Sequence, residues 1–194
     1  KRALDLAVTL PALILLSPLL VIVALAIKLD TPGPVFFRQE RMGRGNRIFR
    51  ILKFRSMRVE TTDANGARSA SRDDDRITRV GKFIRATSID ELPQLINVLS
   101  GEMSLVGPRP HALGSTAGDE LFWRVDRQYW HRHALKPGIT GLAQIRGFRG
   151  ATNTKRDILN RLEADLEYQH GWSLLRDVSI LARTAQVLVH RNAY

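Results

Sequence analysis

The chain has 194 residues, 44% hydrophobic and 25% charged, enough to bury one core and too apolar for wholesale disorder. It contains no cysteine, which excludes a disulfide scaffold, a thiolate metal site and a catalytic thiol. Lysine and arginine total 30 against 19 acidic residues, a formal net charge of +11, so the surface favours anions: nucleic acid, anionic lipid or phosphorylated small molecules.

From Leu6 to Ile27 there is no ionisable side chain. As a helix this segment is about 33 Å long, against a bilayer core of ~30 Å. A signal peptide, a buried soluble helix and a simple transmembrane span are the competing readings. Ser17-Pro18 stands at the middle. Proline has no amide for the carbonyl of Ile14 and its ring crowds that group, so a kink is expected there. The flanks are basic on both sides, with Lys1 and Arg2 before and Lys28, Arg38 and Arg41 after. By the positive-inside rule both ends belong in the cytoplasm, which a helix entering one leaflet and returning would satisfy.

Thr31-Pro32-Gly33-Pro34 ends the apolar segment. Val35–Arg41 and Arg47–Met57 read as two strands of a hairpin, with Gly43-Arg44-Gly45 in its turn. Val59–Asp75 is polar and reads as a loop, its Asp73-Asp74-Asp75 run as a charged turn. Ile89–Ser100 reads as a helix ended by Gly101. Ser88 through Glu91 fits a capping box, yet Pro93 favours a start near Asp90, where a carboxylate would sit beside free backbone amides. Gly107-Pro108-Arg109-Pro110 and Lys136 to Gly141 read as turns. Leu121–His133 reads as an amphipathic helix, at a membrane interface or half-buried. Arg156–Tyr168 and Ser173–His190 read as two closing helices.

Arginines and lysines recur through the hairpin, among them Arg38, Arg41, Arg44, Arg47, Lys53 and Arg55. Arg76, Arg79, Lys82 and Arg85 precede Asp90-Glu91, and Arg109 follows it. Guanidinium groups suit bidentate phosphate binding, and as a set around an acidic pair they suggest a phosphate site. Adjacent carboxylates diverge by about 100° on a helix, so a glycosidase pair is a poor match. A carboxylate nucleophile beside a neighbour that holds a metal or tunes protonation is a better one, with Mg²⁺ neutralising phosphate oxygens. His131 and His133 lie on different helical faces, and no HExxH, P-loop or GxGxxG is present.

These residues stand in a longer pattern: Pro32 to Phe37 with Gln39 and Arg41, Lys53 to Met57, Asp75 to Thr78, Ser88 to Pro110, KPGITGLAQ from Lys136, and Trp172-Ser173-Leu174 with Asp177. Throughout its length the chain resembles the bacterial sugar transferases, the monotopic polyprenyl-phosphate phosphoglycosyltransferases. The resemblance implies transfer of a sugar 1-phosphate from a UDP-sugar to undecaprenyl phosphate with release of UMP, the first membrane step of exopolysaccharide or capsule synthesis. It implies the cytoplasmic face of the bacterial inner membrane, contact with its lipid, and Mg²⁺ held at Asp90 or Glu91. Asp90 takes the nucleophile's place and Glu91 that of its catalytic partner. Arg85 and Arg109 match basic residues near the phosphates, and Lys53, Arg55, Lys136 and Thr140 lie in motifs that shape the site. Ser17 and Pro18 match the break of a re-entrant helix.

The expected fold is therefore α+β: mainly helical with a short β-hairpin, residues 1–30 a re-entrant membrane helix and residues 31–194 a catalytic domain. The start at Lys1 fits the C-terminal catalytic part of a longer chain, and a homo-oligomer is compatible with it. Arg146 to Gly150, Thr152, Thr154 and the ending Asn192-Ala193-Tyr194 resemble the branch that transfers glucose 1-phosphate. Ala151 and Asn153 stand where acidic residues are expected, which leaves galactose 1-phosphate open. From other classes, a non-catalytic membrane scaffold and a basic nucleic-acid-binding module remain, the second opposed by the apolar segment, so nucleic acid is not an expected partner.

Overall fold

A computed structural model describes residues 1–61, 74–148, 152 and 154–189. Most of the expected loop Val59–Asp75 lies outside them, as do Ala151, Asn153 and the ending Asn192-Ala193-Tyr194. The described residues are mostly helical with a few short strands.

The apolar segment is one α-helix, α1, Arg2–Asp30, with Pro11 and Pro18 inside it. The helix continues through the expected break. The carbonyl that Pro18 cannot serve, that of Ile14, accepts the Ser17 hydroxyl at 2.8 Å, so the local cost of the proline is offset by its neighbour. Along one face Asp5, Thr9, Val23 and Ile27 are buried, and Ala12, Leu13, Leu16, Leu19, Leu20 and Ala24 pack on the two larger cores. The opposite face is apolar and open, with Ile14 75%, Leu15 80% and Leu29 89% exposed.

Both ends of α1 are fastened to the same body. At its start, Lys1 Nζ donates to Asp177 at 2.7 Å, and Arg2 donates to the carbonyls of Val98 and Leu99. The buried Asp5 carboxylate accepts from the Ser104 hydroxyl and the Leu105 amide. At its end, Arg55 donates to the carbonyls of Ile27, Thr31 and Pro32, satisfying groups that a helix terminus leaves open. Asp30 accepts the amide of Val80 at 3.1 Å.

The hairpin forms as expected, β1 Phe36–Met42 antiparallel to β2 Ile48–Phe54. Its tip uses left-handed backbone at Gly45 (φ 64°) and Asn46 (φ 59°). Helix α2, Arg79–Ala86, starts at Thr78, whose hydroxyl accepts the Gly81 amide. In the expected charged turn, Asp74 is buried and pairs with Arg76 at 2.6 Å.

The expected helix from Asp90 is corrected. Ser88 is left-handed (φ 58°), and Ile89–Glu91 form a 3₁₀ turn closed by the Glu91 and Leu92 amides. Helix α3 is Gln94–Ser100, with Pro93 at its cap position and Gly101 left-handed (φ 87°) at its end. Neither half of the capping box forms, because the positive φ at Ser88 turns the chain before a helix can begin.

Two further expectations are corrected. The turn expected at Lys136 to Gly141 contains a strand, β6 Gly138–Thr140, parallel to β3 Ser104–Val106. A Cβ on Gly138 would lie 2.1 Å from the Gly107 amide nitrogen, so this close backbone approach needs glycine. A short hairpin, β4 Thr116–Ala117 with β5 Glu120–Leu121, leads into the span Leu121–His133, where the expected helix is replaced by the four-residue α4 Phe122–Val125 and a 3₁₀ run Arg127–Ala134. Asp126 caps that run by accepting the Gln128 amide, which restarts the chain direction. After α5, Leu142–Ile145, the two closing helices form as read: α6 Lys155–His170, opened by a capping box of Thr154 and Asp157, and α7 Leu174–Val189.

Candidate active site

The 3₁₀ turn before α3 gives its two acids different surroundings. Glu91 Oε1 accepts Lys53 Nζ at 2.8 Å and an Arg109 nitrogen at 2.6 Å, while Oε2 accepts the other Arg109 nitrogen at 3.3 Å. Burial raises the Glu91 carboxyl, but Arg109 and Lys53 outweigh it and hold the group well below the ordinary glutamate range. Asp90 is 7% exposed, with no hydrogen bond or ion pair to its side chain among the described residues. Burial raises its pKa, against the pull of Lys53, and Glu91 raises it further while Arg85 and Arg109 oppose. One acid is thus pinned and charged. The other is desolvated, unbonded and surrounded by cations.

A second layer holds Arg109 in place. Arg132, 1% exposed, donates to Asp165 at 2.9 and 2.5 Å and to the carbonyl of Arg109 at 2.8 Å. A further Arg132 nitrogen lies 3.2 Å from His111 Nδ1. Because arginine only donates, that ring nitrogen is the acceptor, and burial together with Arg132 keeps His111 neutral. Arg41 donates to the Pro110 carbonyl and to Gln39. Burial and then Arg109 push Arg41 down to about 10, and burial, Arg109 and Arg132 do the same to Arg161. The site therefore concentrates more positive charge than its own acids neutralise, as a phosphate-bearing substrate requires.

Of the residues singled out in the sequence, Asp90, Glu91, Lys53 and Arg109 come together, and Arg85 is close enough to act on Asp90. Arg55 is 4% exposed and committed to the end of α1. Thr140 is buried and bonded to Thr184 at 2.7 Å. Lys136 lies by Gly101, at the other end of α3 from the acidic pair. Arg132, Asp165, His111 and Arg161 were not singled out. One signal was available: Arg161 and Asp165, four residues apart, fall on the same stripe of α6 as the buried Ile158 and Leu162.

No group of three or more metal-ligating side chains occurs among the described residues. Mg²⁺ commonly takes one or two carboxylates and completes its shell with substrate phosphates and water. Asp90 offers such an oxygen donor, whereas both oxygens of Glu91 are already taken by cations.

Relatives share this sequence at high identity. An undecaprenyl-phosphate glucose phosphotransferase of Komagataeibacter xylinus is 51% identical over the whole chain, which spans 37% of that protein's length. A UDP-glucose:undecaprenyl-phosphate glucose-1-phosphate transferase of Caulobacter vibrioides is 50% identical, again over the whole chain and 72% of the relative. The exopolysaccharide production protein PSS of Rhizobium leguminosarum bv. phaseoli is 47% identical over 95% of the chain and 92% of its own length. The family described as bacterial sugar transferase matches residues 1–191, and with the paired acids and their cations in place the chain belongs to the bacterial sugar transferase family.

Proposed function

We propose that this chain transfers a sugar 1-phosphate, glucose 1-phosphate in the first instance, from a UDP-sugar to undecaprenyl phosphate, as the first membrane step of exopolysaccharide or capsule synthesis. The observation that carries the reading is the inequality of Asp90 and Glu91. An aspartate oxygen without hydrogen bonds among the described residues, in a cationic pocket, is poised as a nucleophile toward phosphorus. It attacks the phosphorus bonded to the sugar. An Asp90 O–P bond forms, the bond from that phosphorus to the bridging oxygen breaks, and UMP leaves with that oxygen. An undecaprenyl phosphate oxygen then attacks the same phosphorus, and the Asp90 carboxylate is released. Glu91 keeps Lys53 and Arg109 oriented toward the donor phosphates. Mg²⁺, bound through Asp90 and the donor, would supply charge neutralisation for the approach of two anions.

Glucose is favoured by the K. xylinus and C. vibrioides relatives, a glucose phosphotransferase and a glucose-1-phosphate transferase. Membrane placement is supported by the open apolar face of α1 and by both of its ends being held on one body, so Lys1 and Lys28 belong on the same, cytoplasmic side. Trp172, Leu174 and Leu175, exposed near the Lys1 end, extend the surface offered to lipid.

Intact-mass analysis after incubation with UDP-glucose alone tests the chemistry. The expected result is a hexose-phosphate adduct on the wild type and none on Asp90→Asn. Verified turnover without any adduct would establish direct transfer instead. UMP release across UDP-glucose and UDP-galactose decides the sugar, and full activity after exhaustive EDTA treatment would remove the metal. Single cysteines at positions 2 and 30, labelled from opposite sides of the membrane, would refute the same-side topology.

A further inference from the structure

We propose that the cleft between the hairpin tip and the C-terminal end of α3 binds the phosphate of an anionic phospholipid headgroup. The cleft has a volume of about 580 Å³ and is lined by Arg44, Arg47, Ile48, Phe49, Glu102 and Lys136, with glycines at 43, 45 and 101. Its one acid is already engaged, since Glu102 accepts Asn97 Nδ2 at 2.7 Å and the Ser100 hydroxyl at 3.1 Å. Arg44, Arg47 and Lys136 have no hydrogen bond or ion pair to their side chains among the described residues. Three cations thus line one space against a single carboxylate, which leaves an excess of positive charge there.

The arrangement is fixed before any ligand arrives. The tip is held in left-handed backbone at Gly45 and Asn46, and Asn46 Oδ1 sits 2.6 Å from His133 Nδ1. Gly101 leaves the floor open, because a Cβ there would stand 3.4 Å from Lys136 Nζ. The cations feel one another: Lys136 is pushed down by burial and then by Arg2, with Asp5 opposing and Arg44 adding to the push. A bound phosphate would relieve that repulsion.

Two features select a lipid over a soluble anion. Arg2 lies 3.9 Å from the same Gly101 position, and the uncharged run of α1 begins at Leu6, so the cleft opens where the apolar helix starts. Ile48, 56% exposed, gives the cleft an apolar wall that a glycerol backbone can cover and a free phosphate cannot. The site is separate from the chemistry. Glu91 and Gly101 are ten residues apart along the 3₁₀ turn and α3, about 15 Å at ~1.5 Å per residue, out of reach of Asp90. The inference rests on the membrane reading of α1, not on the reaction at Asp90.

Vesicle flotation of the full chain tests it, with phosphatidylcholine alone and with added phosphatidylglycerol. Three proteins are compared: wild type, Arg44→Glu/Lys136→Ala, and a control, Arg124→Ala/Arg127→Ala, which removes two exposed arginines elsewhere. Anionic lipid should strengthen wild-type binding. The cleft variant should lose that gain roughly tenfold, and the control should keep it. Binding to phosphatidylcholine alone reports α1 and should be equal in all three. Arg44→Gln alone, on an exposed turn, should show a smaller loss in the same direction if the double variant unfolds. An undiminished gain in the cleft variants, or an equal loss in the control, overturns the site. So does protection of Lys136 from acylation by inorganic phosphate or UDP but not by phosphatidylglycerol, which would mark a soluble-anion site. Failure of the wild type to bind phosphatidylcholine overturns the membrane reading and this inference with it.

Discussion

The turn before α3 and the first turn of α7 each bury an aspartate, and they treat it in opposite ways. Asp177, 1% exposed, accepts Lys1 Nζ at 2.7 Å, the Tyr168 hydroxyl at 2.5 Å and Trp172 Nε1 at 3.2 Å. Burial, with its bond to Asp177 next, pushes the Tyr168 hydroxyl up and keeps it a donor. Asp90 has lost nearly as much water and has no such bonds among the described residues. Where desolvation is offset by donors, the carboxylate stabilises the fold, here by tying α1 to α6 and α7. Where it is left unbalanced, the carboxylate keeps its oxygens unbonded, as the proposed nucleophile requires. The left-handed Ser88, two residues before Asp90, adds backbone strain on the same side of that comparison.

Exchanging the two acids for neutral residues gives the sharpest contrast. Asp90→Asn should lower UMP release by about 10⁴-fold or more, some 5.5 kcal/mol of barrier, with no adduct in the mass spectrum. It should not lower thermal stability at neutral pH. The folded state holds the Asp90 proton longer than the unfolded chain, so wild-type stability falls as pH rises from the ordinary aspartate value through the raised one. Asn removes that loss, and unfolding curves across pH should be flatter over that window.

Asp177→Ala should do the reverse. It leaves Tyr168 and Trp172 without their acceptor and should cost about 3 kcal/mol, the lower end for breaking a buried pair because Lys1 keeps partial solvent contact. Denaturant unfolding measures this, while adduct formation per folded molecule should change by less than about twofold, since the tie lies outside the acidic pair. A variant that lost chemistry and stability together would erase the distinction.

The pH dependence of adduct formation separates the two acids of the pair itself. Attack needs ionised Asp90, so the rate should rise with pH through a value above the ordinary ~3.9 of aspartate. Glu91, held well below its ordinary range, should contribute no limb there. Glu91→Gln should leave the position of the acid limb nearer the ordinary value, because one like charge beside Asp90 is gone. The smallest expected effect is at Ser17→Ala. It leaves the Ile14 carbonyl without its hydroxyl partner at Pro18 and should cost about 1 kcal/mol or less, read from the same unfolding curves.

Much of this was legible from residues near one another in sequence. The apolar run, the hairpin and the two closing helices follow from composition, alternation and caps, which act over a few residues. At Ser17-Pro18 the sequence marked the carbonyl at risk, that of Ile14, and the Ser17 hydroxyl that serves it is seen in the structure. The start of α3 was misplaced because Ser88 takes a positive φ, which the capping pattern does not foretell. The strand β6 was missed because its partner lies more than thirty residues earlier in a three-residue parallel pairing that leaves no periodic trace.

The sequence by itself determined which residues carry the charge, where the chain is too apolar for water, and that Asp90 and Glu91 stand side by side among basic motifs. These are properties of side-chain chemistry and short-range order. Only the tertiary structure decided which acid is pinned and which is free, that Arg55 serves the end of α1 and not a phosphate, and that Lys136 faces a different cleft. It also decided that Arg132 and Asp165 hold Arg109 from behind. Such assignments depend on burial and on partners up to 176 residues apart, and desolvation exists only once the chain has folded around the group.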